Sequence, residues 1–588
     1  MSNTIFMHPA TYFILGAILM PFANRLKLQK VLLLAVPLLA FYQIHHLPAS
    51  FGVCHFLGFE LHFGRVDKLT YVFLHVFTLM ALIGSIYGLH VKESGQHMAA
   101  FLYVAGSLGT TLCGDYLTLF IFWELMAFAS VFLVWYRRRK RSIEAGYRYL
   151  LVHTTGGLIL LAGIFLRYQN IHDLTFTRIL AEGATTADYL IMIGFMLNAA
   201  VPPIHAWLPD AYPEATVTGA VYMCAFTTKT AVYVLARGFP GFTALAILGA
   251  IMTVYGVAYA VIENDARRIL AYHIVSQVGY MVCGVGIGTA MAVNGACAHA
   301  YAHILYKALL FMGVGAVLEA TGKTKLNELG GLYKYMPWSL VFTVIGGIAI
   351  SGFPLTSGFI SKSMIIAAAG ADHRIFIMLM LSLAAVGTFL SVGIKLPYFV
   401  WFGPNEGVKE AKEVGWNMQL GMFIAAFMCI FLGFYPEYLY RMLPYPVTWH
   451  PYTMHHLSET FQLLGFTGLG FYLMVKKLKP EPKMNLDLDW FYRKGARVFM
   501  WVASKPVGAA NDWVGEVYRT VGYRFTMAVA RAMSWFDWEG IDWVLDGSAK
   551  GVVKGGDQLR TFQTGKLQHY IGGAAVALFI VLIIVVLL

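Results

Sequence analysis

Residues 291–319 read MAVNGACAHAYAHILYKALLFMGVGAVLE, and this stretch decides the fold. Apart from Lys307 and the last residue, Glu319, it carries no formal charge. It exceeds the roughly 20 residues that cross about 30 Å of hydrocarbon as a helix. Its apolar residues are continuous rather than alternating, which selects a spanning helix over a barrel strand. Within it, His299, His303 and Lys307 recur at i, i+4 and i+8, so all three share one helical stripe, neighbours lying about 5–6 Å apart. A charge at that depth costs at least about 2.5–3.5 kcal/mol, so Lys307 needs a purpose. Two imidazoles beside a lysine form a proton relay. HxxxH zinc binding fits worse, because no third ligand is apparent and the lysine repels a metal. Histidines that only pack are the plainer alternative.

Working outward, about sixteen such runs cover the chain. The 588 residues are 58% hydrophobic and 13% charged, close to half the charge density of a soluble domain. The net charge of +12 sits in loops between the runs. That points to membrane topology and anionic lipid rather than to nucleic acid. Loops after odd-numbered runs hold Arg25, Lys27 and Lys30, the series Arg137 to Arg141, Arg267 and Arg268, and Lys323, Lys325 and Lys334. This bias places the odd loops in the cytoplasm and the N-terminus outside, as in the inner membrane of a prokaryote. Six scattered cysteines form no CxxC pair, which argues against a cluster, structural zinc or disulfide framework. The first apolar run, near Pro9, reads as a span and not as a cleaved signal.

The fold expected is therefore all-α and integral to the membrane. Its parts are N-terminal spans over 1–96, a first five-helix repeat over 97–237, a second, inverted, over 238–402, and additional spans over 403–483. Residues 484–565 are rich in Trp, Arg, Asp and Gly, with apolar residues at helical spacing, as in an amphipathic helix along an interface. Pro506 and Gly508 should interrupt it. Residues 566–588 form a closing anchor. Two spans carry internal breaks, Asn198 to His205 with Pro202 and Pro203, and Ser351 to Gly358 with Pro354. Broken spans in corresponding positions of two halves mark inverted-repeat transporters, whose ion sites lie beside the broken backbone.

Three further charges fall where charge is costly. Glu124 is mid-span in LFIFWELM and reads as a carboxylate paired with a buried lysine. Lys229, among Thr227, Thr228 and Thr230, lies too deep for its ammonium to reach the interface easily. Lys362 follows the second break and faces either a cavity or the cytoplasm. His153, His205 and Arg148 are weaker candidates, and the Arg137 to Arg141 series is most simply a topology signal.

Several of these stretches together resemble the proton-pumping membrane subunits of complex I, the A-type and D-type subunits of Mrp antiporters, and related hydrogenase subunits. They are Trp123-Glu124, Pro203 to Ala211, Thr228 to Tyr233, Asp265 to Tyr280, His299 to Leu310, and Gly352 to Lys362. The long polar segment, Gln563 to Tyr570 and the final span are most similar to subunit 5 of NADH dehydrogenase, the distal pump. The resemblance assigns Glu124, Lys229, Lys307 and Lys362 to the family's ion path, with His299 and His303 as relay. It also implies a departure: where the family has a lysine that partners the glutamate, this chain has Asn198. Lys229 then either replaces that partner or this half conducts poorly.

The resemblance implies a proton-translocating subunit of a redox-driven complex, acting with other antiporter-like and small membrane subunits, peripheral redox subunits and lipid. A Na+/H+ antiporter subunit without redox chemistry, or a subunit energising inorganic carbon uptake, is the alternative. No nicotinamide, flavin, quinone or cluster motif is recognisable, so no cofactor or metal is expected.

Overall fold

A computed structural model of the chain describes residues 8–56, 58–403, 411–482 and 486–588. These fall into two compact units, Met1–Asp489 and Trp490–Leu588. The first unit opens with α1 (Pro9–Arg25) and α2 (Gln29–Ile44). An antiparallel hairpin follows, β1 (Ser50–Phe56) with β2 (Phe59–Arg65), in the register Ser50 opposite Arg65. Then come α3 (Lys68–Tyr87), α4 (Ser94–Leu112), α5 (Tyr116–Trp135) and α6 (Lys140–Ile171). Helix starts follow their caps: Asp67 accepts from the Thr70 amide at 2.9 Å and Asp115 from the Thr118 amide at 2.7 Å.

After α7 (Thr186–Asn198) the chain breaks, resumes in the short α8 (Trp207–Ala211), and continues as α9 (Val217–Met223) and α10 (Thr227–Gly238). The expected break after Asn198 is present. A further interruption at Cys224 to Phe226 was not expected, because that tripeptide contains neither Pro nor Gly. The centre is built by α11 (Thr243–Ile262), α12 (Ala266–Ile287) and α13 (Ala290–Thr321). They are followed by α14 (Pro337–Ser351), the second expected break, α15 (Ser357–Ala371) and α16 (Ile375–Thr388), the last extended by a π-helical turn, Phe389–Lys395. The unit ends with α17 (Trp416–Phe434), the short α18 (Pro436–Tyr440) and α19 (Met454–Met474).

Each expected apolar run falls on a helix or on a broken pair of helices. Among the described residues, ten helices are long and apolar enough to cross a membrane. Every residue of α12 except Arg268 is buried by its neighbours, as is most of α13. These two helices form the core that the others surround.

The second unit runs through α20 (Asp489–Val502), α21 (Gly508–Val517), α22 (Phe525–Trp535) and α23 (Trp543–Arg560), with α24 (Leu567–Leu587) at its end. Pro506 and Gly508 do not break this run. Pro506 sits inside a π-helical turn, Ala503–Val507, and Gly508 opens α21 with helical backbone angles. A widened turn accommodates the proline ring and its missing N–H without ending the helix. Further π-helical turns follow at Tyr518–Arg524 and Phe536–Asp542.

Candidate functional site

The stripe His299, His303, Lys307 lies on α13, and all three residues are fully buried. The rings of His299 and His303 are 6.3 Å apart, and that of His303 is 5.3 Å from Tyr306. Neither ring nitrogen of His303 nor Nζ of Lys307 has a hydrogen-bond partner among the described residues. Buried polar groups are normally satisfied, so His303 and Lys307 are set apart from a packed apolar core.

His299 connects three helices. Its Nδ1 lies 3.1 Å from the Ser361 hydroxyl on α15, and its Nε2 lies 3.1 Å from Gln277 Oε1 on α12. Because the amide oxygen only accepts, Nε2 carries a hydrogen. Ser361 also donates to the Ser357 carbonyl at 2.9 Å. Its hydroxyl can therefore accept from Nδ1–H of an imidazolium, or turn and donate to Nδ1 of the neutral ring. The contact survives in both protonation states. From Gln277 the polar line continues to Thr388 at 3.3 Å, while His273, one turn earlier on α12, reaches Ser391 at 2.6 Å.

Three lysines share one local solution. Lys229 Nζ donates to the Cys224 carbonyl at 2.7 Å and to Thr228 Oγ1 at 2.9 Å. That carbonyl is free because α9 stops at Met223. Lys362 Nζ donates to the Ile350 carbonyl at 2.6 Å, at the end of α14, and lies 5.4 Å above the Tyr280 ring. Lys395 Nζ donates to the Val261 and Glu263 carbonyls at 2.6 and 3.0 Å, where α11 ends. A cation at the carbonyl end of a helix is stabilised by the helix dipole, so each break or terminus creates a seat for an ammonium. Lys395 is an addition to the sequence reading. It was legible there by the test applied to Lys229, as the one lysine within the apolar run 374–402. Beside Lys362, a cavity of about 340 Å³ opens between α15, α16 and α19, with His455, His456 and Glu459 on its α19 side.

The structure therefore brings His299, His303, Lys307 and Lys362 together around α12, α13 and α15. It does not bring Glu124 to a lysine. Glu124 is half-buried on α5, its Oε1 has no hydrogen-bond partner among the described residues, and a Cβ added at Gly157 of α6 would overlap that oxygen. No cation lies within salt-bridge distance among the described residues, so the expected carboxylate–lysine pair is absent. The physical reason is local: Asn198 is engaged by His153 Nδ1 at 2.9 Å, while Lys229 is turned to the Cys224 carbonyl. Glu124→Gln is isosteric and orphans no partner, so the yield and thermal stability of the detergent-extracted protein should stay within about 0.5 kcal/mol of the parent. A drop of several degrees in melting temperature would reveal a missed partner.

The arginines do more than mark topology. Arg137 and Arg141 approach Glu214 at 3.5 and 2.9 Å, Arg138 pairs with Glu93, and Arg148 holds Asp210 through two bonds of 2.7 and 3.0 Å. His205 lies 3.4 Å from Asp487, a residue that sequence reasoning did not mark.

Comparison with known proteins fits this arrangement. Residues 113–388 match the model of the NADH:quinone oxidoreductase/Mrp antiporter transmembrane family. The D-type subunit of the Na(+)/H(+) antiporter of Alkalihalophilus pseudofirmus is 31% identical over 364 residues, covering 58% of this chain and 73% of that protein. The chloroplastic NAD(P)H-quinone oxidoreductase subunit 5 of Nephroselmis olivacea is 26% identical over 562 residues, covering 87% of this chain and 84% of that protein. The fold is shared with chains of two solved assemblies. One is the Mrp complex from Dietzia sp. DQ12-45-1b (TM-score 0.66, 21% identity, 79% of this chain and 98% of that one). The other is the membrane-bound sulfane sulfur reductase, an archaeal respiratory membrane complex (TM-score 0.67, 22% identity, 74% and 95%). With the buried polar line on α12, α13 and α15, these matches identify the chain as a multi-pass, antiporter-like membrane subunit of a multisubunit complex, and it belongs to the NADH:quinone oxidoreductase/Mrp antiporter family.

Proposed function

We propose that this subunit carries protons across the membrane within a redox-driven complex, along the line of Glu124, Lys229, Lys307 and Lys362, with His299 and His303 between the last two. The observation that carries the reading is the unpartnered, fully buried Lys307 in line with two imidazoles, of which His303 is likewise unpartnered and His299 is joined to Gln277 and Ser361. Charges held close together in a low-dielectric interior titrate as coupled groups, so loading one raises the cost of loading the next. Lys229 and Lys362, each seated on a helix-end carbonyl, act as the stations on either side. The cavity beside Lys362, with His456 and Glu459 on its rim, serves as the exit.

Residues 97–237 and 238–402 act as the two inverted repeats of this path. The N-terminus lies outside a prokaryotic inner membrane, the amphipathic segment 484–565 lies along its cytoplasmic face, and 566–588 anchors the chain in the membrane. Other antiporter-like and small subunits, peripheral redox subunits and lipid are its partners. The polar line carries nitrogen bases, hydroxyls and an amide, which suit protons, whereas a sodium ion wants a cage of oxygens. The redox-linked reading is favoured by the match to a quinone oxidoreductase subunit 5 over 87% of this chain, which includes part of the second unit. The antiporter reading draws on the more identical but shorter match to the Na(+)/H(+) antiporter of Alkalihalophilus pseudofirmus.

The test is the complex extracted in mild detergent, identified by its co-purifying subunits and reconstituted in liposomes under a potassium diffusion potential. Proton flux read by an internal pH dye should be equal with and without sodium. Flux that requires sodium would move the assignment to Na+/H+ exchange.

A further inference from the structure

We propose that Asp487 is the positioning carboxylate that makes His205 a proton acceptor at the break following α7. This rests on the proton-transport reading and adds to it the residue that prepares one of its stations. Asp487 lies at the end of the first unit, far from His205 in sequence and next to it in space. Its carboxylate is 3.4 Å from His205 Nε2 and accepts hydroxyl bonds from Tyr272 at 2.7 Å and from Tyr255. Tyr259 donates to the preceding Leu486 carbonyl at 3.0 Å. The three tyrosine rings, on α11 and α12, follow one another at 4.7 Å (Tyr255 to Tyr259, tilted) and 5.2 Å (Tyr259 to Tyr272, stacked). Asp487 is 5% exposed and His205 fully buried. A charged residue is rarely buried without a purpose, and a surface connection would not need an aromatic cradle on two helices plus a buried histidine.

The geometry divides the two ring nitrogens. Nε2 is the nitrogen beside the carboxylate, at 3.4 Å, and neither ring nitrogen has a hydrogen-bond partner among the described residues. We place the hydrogen on Nε2, toward the anion, which leaves Nδ1 as the base. In the transfer, an N–H bond forms at Nδ1, giving an imidazolium whose charge faces the Asp487 anion. The same bond then breaks as the proton moves on, and the Nε2 hydrogen never leaves. The carboxylate itself is not protonated. Burial pushes its affinity for a proton up, but His205 and the two tyrosines outweigh that and hold it below the usual carboxylate range. A carboxylate that fixes an imidazole's tautomer and stabilises its cation is the arrangement used wherever histidine cycles protons. The other charged groups facing the cradle are Arg268, 6.0 Å over the Tyr272 ring, and Glu263, paired with Arg268 at 3.1 Å, so they largely cancel each other.

The experiment uses the intact complex in liposomes under an imposed potassium potential, with flux normalised to assembled complex. Asp487→Asn should lower proton flux by about 10²-fold, the scale of a lost acid–base group. Asp487→Glu should restore flux to within about threefold, and it decides the matter if the Asn variant assembles poorly. Asp487→Asn with parental flux, or Asp487→Glu as inactive as Asp487→Asn, overturns the proposal. Lys307→Ala separates the two layers of inference. If it is silent while Asp487→Asn conducts normally, only the role of Asp487 fails. If it conducts, the transport reading fails with it.

Discussion

Lys307→Ala should abolish potential-driven proton flux, by about 10²-fold or more, while the complex assembles in normal amounts. The second half of this expectation comes from packing. Most buried lysines cannot be truncated freely, because removal strands the partner carboxylate and costs about 3–5 kcal/mol. Lys307 has no such partner among the described residues, so its removal orphans nothing. It also removes a group that is expensive to bury. What truncation does leave is a space beside His303, so Lys307→Met, which keeps the volume, is the cleaner companion. Both variants should read as assembled and silent. Loss of the complex in both would make Lys307 a structural residue, and normal flux in either would remove it from the path. Lys229 and Lys362 should behave differently in stability. Each holds a helix-end carbonyl, and their truncation leaves the Cys224 or Ile350 oxygen unpaired at about 1–3 kcal/mol.

How far the sequence carried the reading depended on the range of the interactions involved. The spanning helices were legible because hydrophobic length is a local property, and 291–319 declares itself without reference to any other segment. The stripe on α13 was legible for the same reason, since helical spacing alone aligns His299, His303 and Lys307. The breaks at Pro202–Pro203 and Pro354 were marked by residues that cannot continue a helix. The break at Cys224 to Phe226 was not, because none of its three residues is Pro or Gly. The hairpin over Ser50–Arg65 escaped notice because its strands are short and its apolar residues do not alternate cleanly. Pairings across the chain were the least accessible. Asn198 reads as a missing lysine and not as the partner of His153, and nothing near Asp487 announces His205. Glu124 shows the reverse failure: a carboxylate in mid-span suggested a lysine partner that these particular residues do not supply.

Gly279→Leu should prevent the protein from assembling at all. The helices α11 and α12 approach so closely that a Cβ at Gly279 would lie 2.7 Å from the Gly249 carbonyl and 2.8 Å from the Thr253 amide. A Cβ at Gly249 would in turn lie 2.7 Å from the Gly279 carbonyl. These contacts are with backbone, which cannot rotate away as a side chain can. In lipid no hydrophobic force drives helices together, so close backbone packing through small residues supplies much of the association. Inserting an isobutyl group there costs at or above the upper end of about 1–3 kcal/mol. The damage also reaches the polar line: Gly279 is two residues from Gln277, whose 3.1 Å contact with His299 cannot survive a displacement of α12. It reaches the tyrosine cradle too, since Tyr255 and Tyr272 sit on the two helices being separated. Gly279→Ala should lie between the parent and the leucine variant in thermal stability. Gly465→Ala on α19, where an added Cβ meets nothing within 4 Å, should cost nothing and gain up to about 1 kcal/mol from helix propensity. The measurement is yield and melting temperature of the detergent-extracted protein across the three variants. Equal stability for Gly279→Leu and the parent would mean that α11 and α12 are not packed backbone to backbone, and the placement of α12 against α13 would lose its support.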